Sequence, residues 1–159
     1  MKKGSTLILK GAIKIMGLVV FALCGLIIYT LINEGLPTPQ YRYLLLSIIT
    51  CIFASAIPFY IALFHALKLL SYIDNGTAFS ELSIIALKKI KYCAVTISIL
   101  YAVCEPFIFM VAEIDDAPGL VLFGTIPVFA SFVIAVFAAL LQKLLSEAIA
   151  IKSENELTV

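Results

Sequence analysis

SYIDNGTAFSELSIIALKKIKY, residues 71–92, is the one long stretch of this chain that is both polar and strongly patterned. Asp74-Asn75-Gly76 is a turn signal, because Asp and Asn tolerate turn geometry and Gly supplies a positive φ. A helix is expected just after it. Ser80 sits where an N-cap hydroxyl can accept a bond from a free N–H of the first turn, and Glu81 stands at the positive end of the helix dipole. Phe79 and Ile84 have the spacing of a hydrophobic staple. Leu82, Ile85, Ala86 and Ile90 continue an apolar pattern, and Lys88, Lys89 and Lys91 gather at the far end. The stretch therefore predicts a hairpin whose second arm is amphipathic and runs straight into an apolar segment.

On either side of that hairpin the chain is apolar helix. Its 159 residues are 63% hydrophobic and 13% charged, whereas soluble domains are nearer half apolar and about a quarter charged. Too few polar residues are present to cover a soluble core. With roughly 20 apolar residues per crossing, the length suits four spans: about 15–32, 44–70, 92–112 and 119–141. The expected architecture is one all-α, polytopic four-helix membrane domain over 1–159. Segment 71–91 forms a cytoplasmic extension between helices 2 and 3, and 142–159 forms a cytoplasmic tail.

The N-terminal segment is basic (Lys2, Lys3, Lys10, Lys14), and the apolar run after it is too long for a signal peptide and lacks a small-residue cleavage site. Residues 33–43 (NEGLPTPQYRY) read as a loop in which Gly35, Pro37 and Pro39 stop the helix, with Tyr41 and Tyr43 suited to the membrane interface. Arg42 is placed to reach Glu113 or Asp115. Pro58 falls inside the second span, where it removes a backbone bond. His65 reads as an interfacial side chain. Residues 113–118 (EIDDAP) form a tight acidic turn. Ser131, Ala135 and Ala139 make a small-residue face for close helix approach. Residues 142–152 keep helical spacing, and 153–159 read as a frayed polar tail.

Lysine and arginine set the orientation. The two termini and the central hairpin hold ten of them, and the two remaining connections hold only Arg42. Both termini and the hairpin are therefore expected in the cytoplasm of a bacterial cell, with the chain in its inner membrane.

Few residues carry chemistry. Glu105 lies inside the third span, where an ionised carboxylate costs at least ~2.5 kcal/mol. Ser98 and Tyr101 precede it on the same helical face. Pro106 follows it and frees a carbonyl one turn earlier, near Ala102. Two readings stand for this patch: a proton or cation site, or a neutral Glu donating a hydrogen bond to a neighbouring helix. Cys24, Cys51, Cys93 and Cys104 all fall in apolar segments without metal-site spacing and read as packing residues. No hydrolase, metalloprotease or phosphate-binding motif occurs. The net charge of +1 offers no field for nucleic acid. Neither an enzyme, a cofactor nor direct nucleic-acid binding is expected.

Asn75-Gly76, Ala78-Phe79-Ser80 and Ala86-Leu87-Lys88-Lys89-Ile90 resemble the central segment of a family of small four-pass bacterial membrane proteins, domain of unknown function 2975. Met1-Lys2-Lys3-Gly4-Ser5-Thr6 is similar to that family's start, so the resemblance spans essentially the whole chain. It implies a gene neighbourhood that often holds a small helix-turn-helix regulator, and hence a membrane partner for a DNA-binding protein. It supplies no catalytic or ligand residues.

The residues thus support a non-enzymatic membrane regulator or sensor. Its hairpin surface (Phe79, Leu82, Ile85, Lys88, Lys89, Lys91) would contact a cytoplasmic partner such as a helix-turn-helix transcription factor. The plainer alternative for that hairpin is a basic loop that only fixes topology. Other functions in view are a small transporter or channel component using Glu105, which four spans support only as a homo-oligomer, and immunity against a membrane-active peptide.

Overall fold

The computed structural model describes residues 3–35 and 38–158. Lys2 and Pro37, which entered the charge and loop arguments, lie outside the described residues, as does Val159. The rest is four helices: α1 (Lys3–Glu34), α2 (Pro39–Asp74), α3 (Glu81–Ile114) and α4 (Gly119–Leu157). Each is long and apolar enough to cross a membrane, and no strand occurs among the described residues. The helices reach beyond the expected spans. Residues 3–14 and 71–74 are helical, and α4 runs to Leu157 rather than fraying at residue 153. Continuing the hydrogen-bond ladder satisfies backbone groups at no nucleation cost.

Both tight turns close by the same device. At the end of α2, Gly76 takes φ +72°. Its N–H reaches the Ile73 carbonyl at 3.2 Å, and the Thr77 N–H reaches Tyr72 at 2.9 Å. This is a Schellman arrangement, with glycine in the left-handed position. At the end of α3 the Ala117 N–H reaches Ala112 at 2.9 Å, and the left-handed residue is Asp116, at φ 49°. Only the first of these was legible from a glycine.

Three local expectations are corrected. Ser80 occupies the N-cap of α3, but its side chain makes no capping bond. Its hydroxyl stands 3.5 Å from the hydroxyl of Ser83, which is fully buried and draws the polar atom away from the helix end. Phe79 stays 61% exposed instead of folding over the first turn as a staple. Arg42 makes no ion pair among the described residues. Tyr41 donates its hydroxyl to Asp115 at 3.0 Å instead.

The helices lie in a row, α1–α2–α3–α4, each antiparallel to the next. Cys51 on α2 meets the Leu100 carbonyl on α3, and Ser98 on α3 meets the Val128 carbonyl on α4. α3 is the centre, packed by α2 on one side and α4 on the other, while α1 touches α2 alone. Among the described residues, no Cα of α1 comes within 8 Å of one in α3 or α4. The expected bundle is therefore open between α1 and α4. The α3–α4 seam is built from Ser98, Gly124, Ser131, Ala135 and Ala138, all buried. Ala138 is buried beside this face, and the expected Ala139 is half-buried and borders a groove with Ile84 and Lys91 of α3. Within lipid there is no hydrophobic drive for helix association, so small residues gain by letting the backbones approach.

Length places the two ends differently. The 34 residues of α3 span about 51 Å at 1.5 Å per residue. Subtracting a hydrocarbon core of roughly 30 Å leaves about 20 Å of surplus. The apolar run of α3 begins near Tyr92 and continues almost to its C-terminal end, so the surplus lies at the hairpin end. There Leu70, Ala86 and Leu87 are buried together with Ser83, giving the projecting part a small core of its own.

Candidate functional site

Two regions carry groups that packing alone does not account for. The first is the seat of Glu105 between α3 and α4. Its Oε1 lies 2.6 Å from the Thr125 hydroxyl, and the same hydroxyl lies 2.8 Å from the Val121 carbonyl one turn earlier on α4. Its Oε2 is buried with no hydrogen-bond partner. Glycine at position 124 makes the seat: an added Cβ there would stand 2.4 Å from Glu105 Oε2 and 2.7 Å from Ile108 Cδ1. Beside the carboxyl runs an open groove of about 400 Å³ lined by Ala102, Glu105, Pro106, Phe109, Met110 and Val121. Pro106 has no N–H, so the Ala102 carbonyl at this groove lacks its helical donor.

The residues expected to share a patch with Glu105 do not join it. Ser98 donates to the Val128 carbonyl at 3.1 Å, pinning α3 to α4 two turns away. Tyr101 turns to α2, where its hydroxyl stands 3.3 Å from Ser55. These two hydroxyls border a separate, mainly apolar cavity of about 500 Å³ that all four helices line, α1 through Met16, Val20 and Cys24 and α4 through Ser131 and Ile134. One helical face of α3 thus serves two neighbours. Sequence reasoning missed Gly124, Thr125 and Ser55. A Gly-Thr pair inside an apolar span was the available signal for the first two, since small and hydroxyl residues there usually face another helix.

The second region is the projecting hairpin. Ser83, Ala86 and Leu87 turn inward, while Leu82 and Ile85 remain 55% and 49% exposed. Lys88 and Lys89 are exposed, and Lys91 is half-buried with its ammonium 4.9 Å from the Tyr92 ring centre. All six expected docking residues thus lie on or just before the first three turns of α3, and the three apolar ones are uncovered. Lys10 on α1 is ion-paired with Asp74 at the end of α2, which places a cation at the negative end of that helix. His65 keeps a buried, unpartnered Nδ1 beside the Phe64 ring, and Lys68 covers the same ring at 4.6 Å. Among the described residues no three His, Cys, Asp or Glu side chains gather into a metal-sized cluster, and the four cysteines are free.

Comparison with known proteins gives three findings. Residues 29–159 match the family described as Protein of unknown function (DUF2975). The match begins inside α1, leaving out the N-terminal residues that resembled the family's start. The chain is 52% identical over 160 residues to the uncharacterized membrane protein YoaS of Bacillus subtilis (strain 168), with 100% of both chains covered. No solved structure matches.

Proposed function

The chain belongs to the DUF2975 family, and on that premise we propose that it is a non-enzymatic membrane regulator or sensor whose projecting α2–α3 hairpin docks a cytoplasmic protein. The observation that carries this reading is the exposure of Phe79, just before α3, and of Leu82 and Ile85 on the part of α3 that outruns the bilayer. Lipid does not cover apolar side chains held beyond the hydrocarbon, and exposed apolar patches mark interaction sites. Lys88 and Lys89 flank the patch and suit a partner with an acidic surface. The lysine distribution supports placing the hairpin and both termini in the cytoplasm. A small helix-turn-helix DNA-binding protein is the proposed partner class, which the family resemblance supports.

The test is photocrosslinking from Glu81, an exposed position, in cells that keep the native gene neighbourhood. Capture of one small DNA-binding protein, lost on Leu82→Asp, supports the docking surface. Capture of only lipid and the chain itself overturns it and leaves the hairpin a topological element.

The Glu105 seat supports a second reading, a component of a small oligomeric transporter or channel. The open side between α1 and α4 offers a surface for a second copy. That reading falls if Glu105→Gln leaves proton and ion flux in proteoliposomes unchanged.

A further inference from the structure

We propose that Glu105 is a proton-binding site: in its seat on α4 the carboxyl is the neutral acid, donating its proton to Thr125. This concerns the same carboxyl as the second reading above but requires no transport.

The first argument is a proton count. The Thr125 hydroxyl has one proton and two oxygens within bonding distance, Glu105 Oε1 at 2.6 Å and the Val121 carbonyl at 2.8 Å. A carbonyl can only accept, and a hydroxyl can donate once while accepting from others. If Thr125 gave its proton to an ionised Glu105, two lone pairs would face each other across the contact with Val121. If Thr125 gives it to Val121, as helix threonines commonly do, both short contacts are satisfied only when Glu105 supplies the second proton. The result is one directed chain, Glu105 O–H to Thr125 O–H to the Val121 carbonyl.

The second argument is Oε2. It is buried without a donor, against a glycine where even one carbon would clash, so no water fits between. An ionised carboxylate shares its charge over both oxygens and is acceptor-only, and leaving half of it unsolvated in a membrane helix is costly. The neutral acid leaves only a carbonyl oxygen there. No compensating cation is at hand. From α4 the carboxyl meets Gly124 and Thr125, neither titratable. On α3 its neighbour is the Cys104 thiol, which meets the Cys51 thiol of α2. Tyr101 is engaged with Ser55, and Asp115 with Tyr41 at the helix end. Among the described residues no ion pair includes Glu105.

Loss of that proton removes the donor to Thr125. Protonation is thereby tied to one α3–α4 contact.

The test is infrared difference spectroscopy of the full chain in lipid vesicles, taken between neutral and alkaline pH. The expected spectrum shows a protonated carboxyl carbonyl band that is present at neutral pH, lost as pH rises, and missing in Glu105→Gln. In Thr125→Val the band persists but moves in frequency. In Gly124→Ala, whose added Cβ meets Glu105 Oε2, the band also moves in frequency. A neutral-pH spectrum with no Glu105-dependent band overturns the proposal, as does a band indifferent to both α4 substitutions. Unchanged flux with the band present would sink the transport reading and leave the proton site standing.

Discussion

The Tyr60 hydroxyl donates to the Gly17 carbonyl at 2.7 Å, and this bond from α2 holds α1, which packs on no other helix among the described residues. Gly17 permits it by keeping its own side clear, since an added Cβ there would stand 3.3 Å from Leu63 Cδ1. With the Lys10–Asp74 ion pair it gives α1 two polar tethers, some seven residues apart.

Tyr60→Phe is expected to loosen α1 alone. Interhelical hydrogen bonds in membranes average about 0.6 kcal/mol, enough to raise hydrogen exchange in α1 about threefold without unfolding the rest. Exchange followed by mass spectrometry in detergent checks this. Equal acceleration in α3 and α4 would contradict the row-like packing.

Gly124→Val is expected to disrupt the central seam. The added carbons meet Glu105 Oε2 and Ile108 Cδ1, and overpacking a close-packed site costs about 1–3 kcal/mol. Denaturant unfolding in mixed micelles measures it. Gly25→Val, where nothing lies within 4 Å of an added Cβ, is the control and should shift the midpoint little.

Leucines 82 and 87 should behave oppositely although they share the first turns of α3. Leu87 is 6% exposed and Leu82 is 55% exposed. Leu87→Ala leaves a cavity in the projecting core and should cost about 2–5 kcal/mol. Leu82→Ala should alter stability by less than about 0.5 kcal/mol while weakening partner capture. Thermal unfolding together with crosslinking yield separates the two effects.

The two turns respond differently to glycine. Gly76→Ala forces a Cβ into left-handed backbone, at a cost of roughly 1–2 kcal/mol. Asp116→Gly removes a Cβ from the same conformation at φ 49° and is expected to be neutral or stabilising by up to about 1 kcal/mol. Unfolding midpoints of the pair check both signs.

Much of the architecture followed from runs of like residues. Four apolar stretches of bilayer length gave four helices, and Asp74-Asn75-Gly76 located the hairpin, because these are local properties of composition and turn geometry. The site was legible only in part. Glu105 announced itself as an acid in an apolar span. Its true partners, Gly124 and Thr125, sit 19 and 20 positions along the chain on another helix, and small residues are too common in membrane segments to single them out. Tyr101 and Ser98 shared a periodic face with Glu105, yet α3 lies between two neighbours, so one face divides between α2 and α4.

By itself, then, the sequence determined an all-helical, four-pass membrane chain with a patterned hairpin and one exceptional acid, since hydropathy and local backbone preference act within a few turns. Tertiary structure alone decided that α1 hangs from α2, leaving the row open toward α4, and that the Glu105 carboxyl rests on a glycine with a single hydroxyl in reach. Those outcomes depend on how closely particular backbones approach across the bilayer. In lipid that approach is governed by the shapes of facing side chains, which no local pattern encodes.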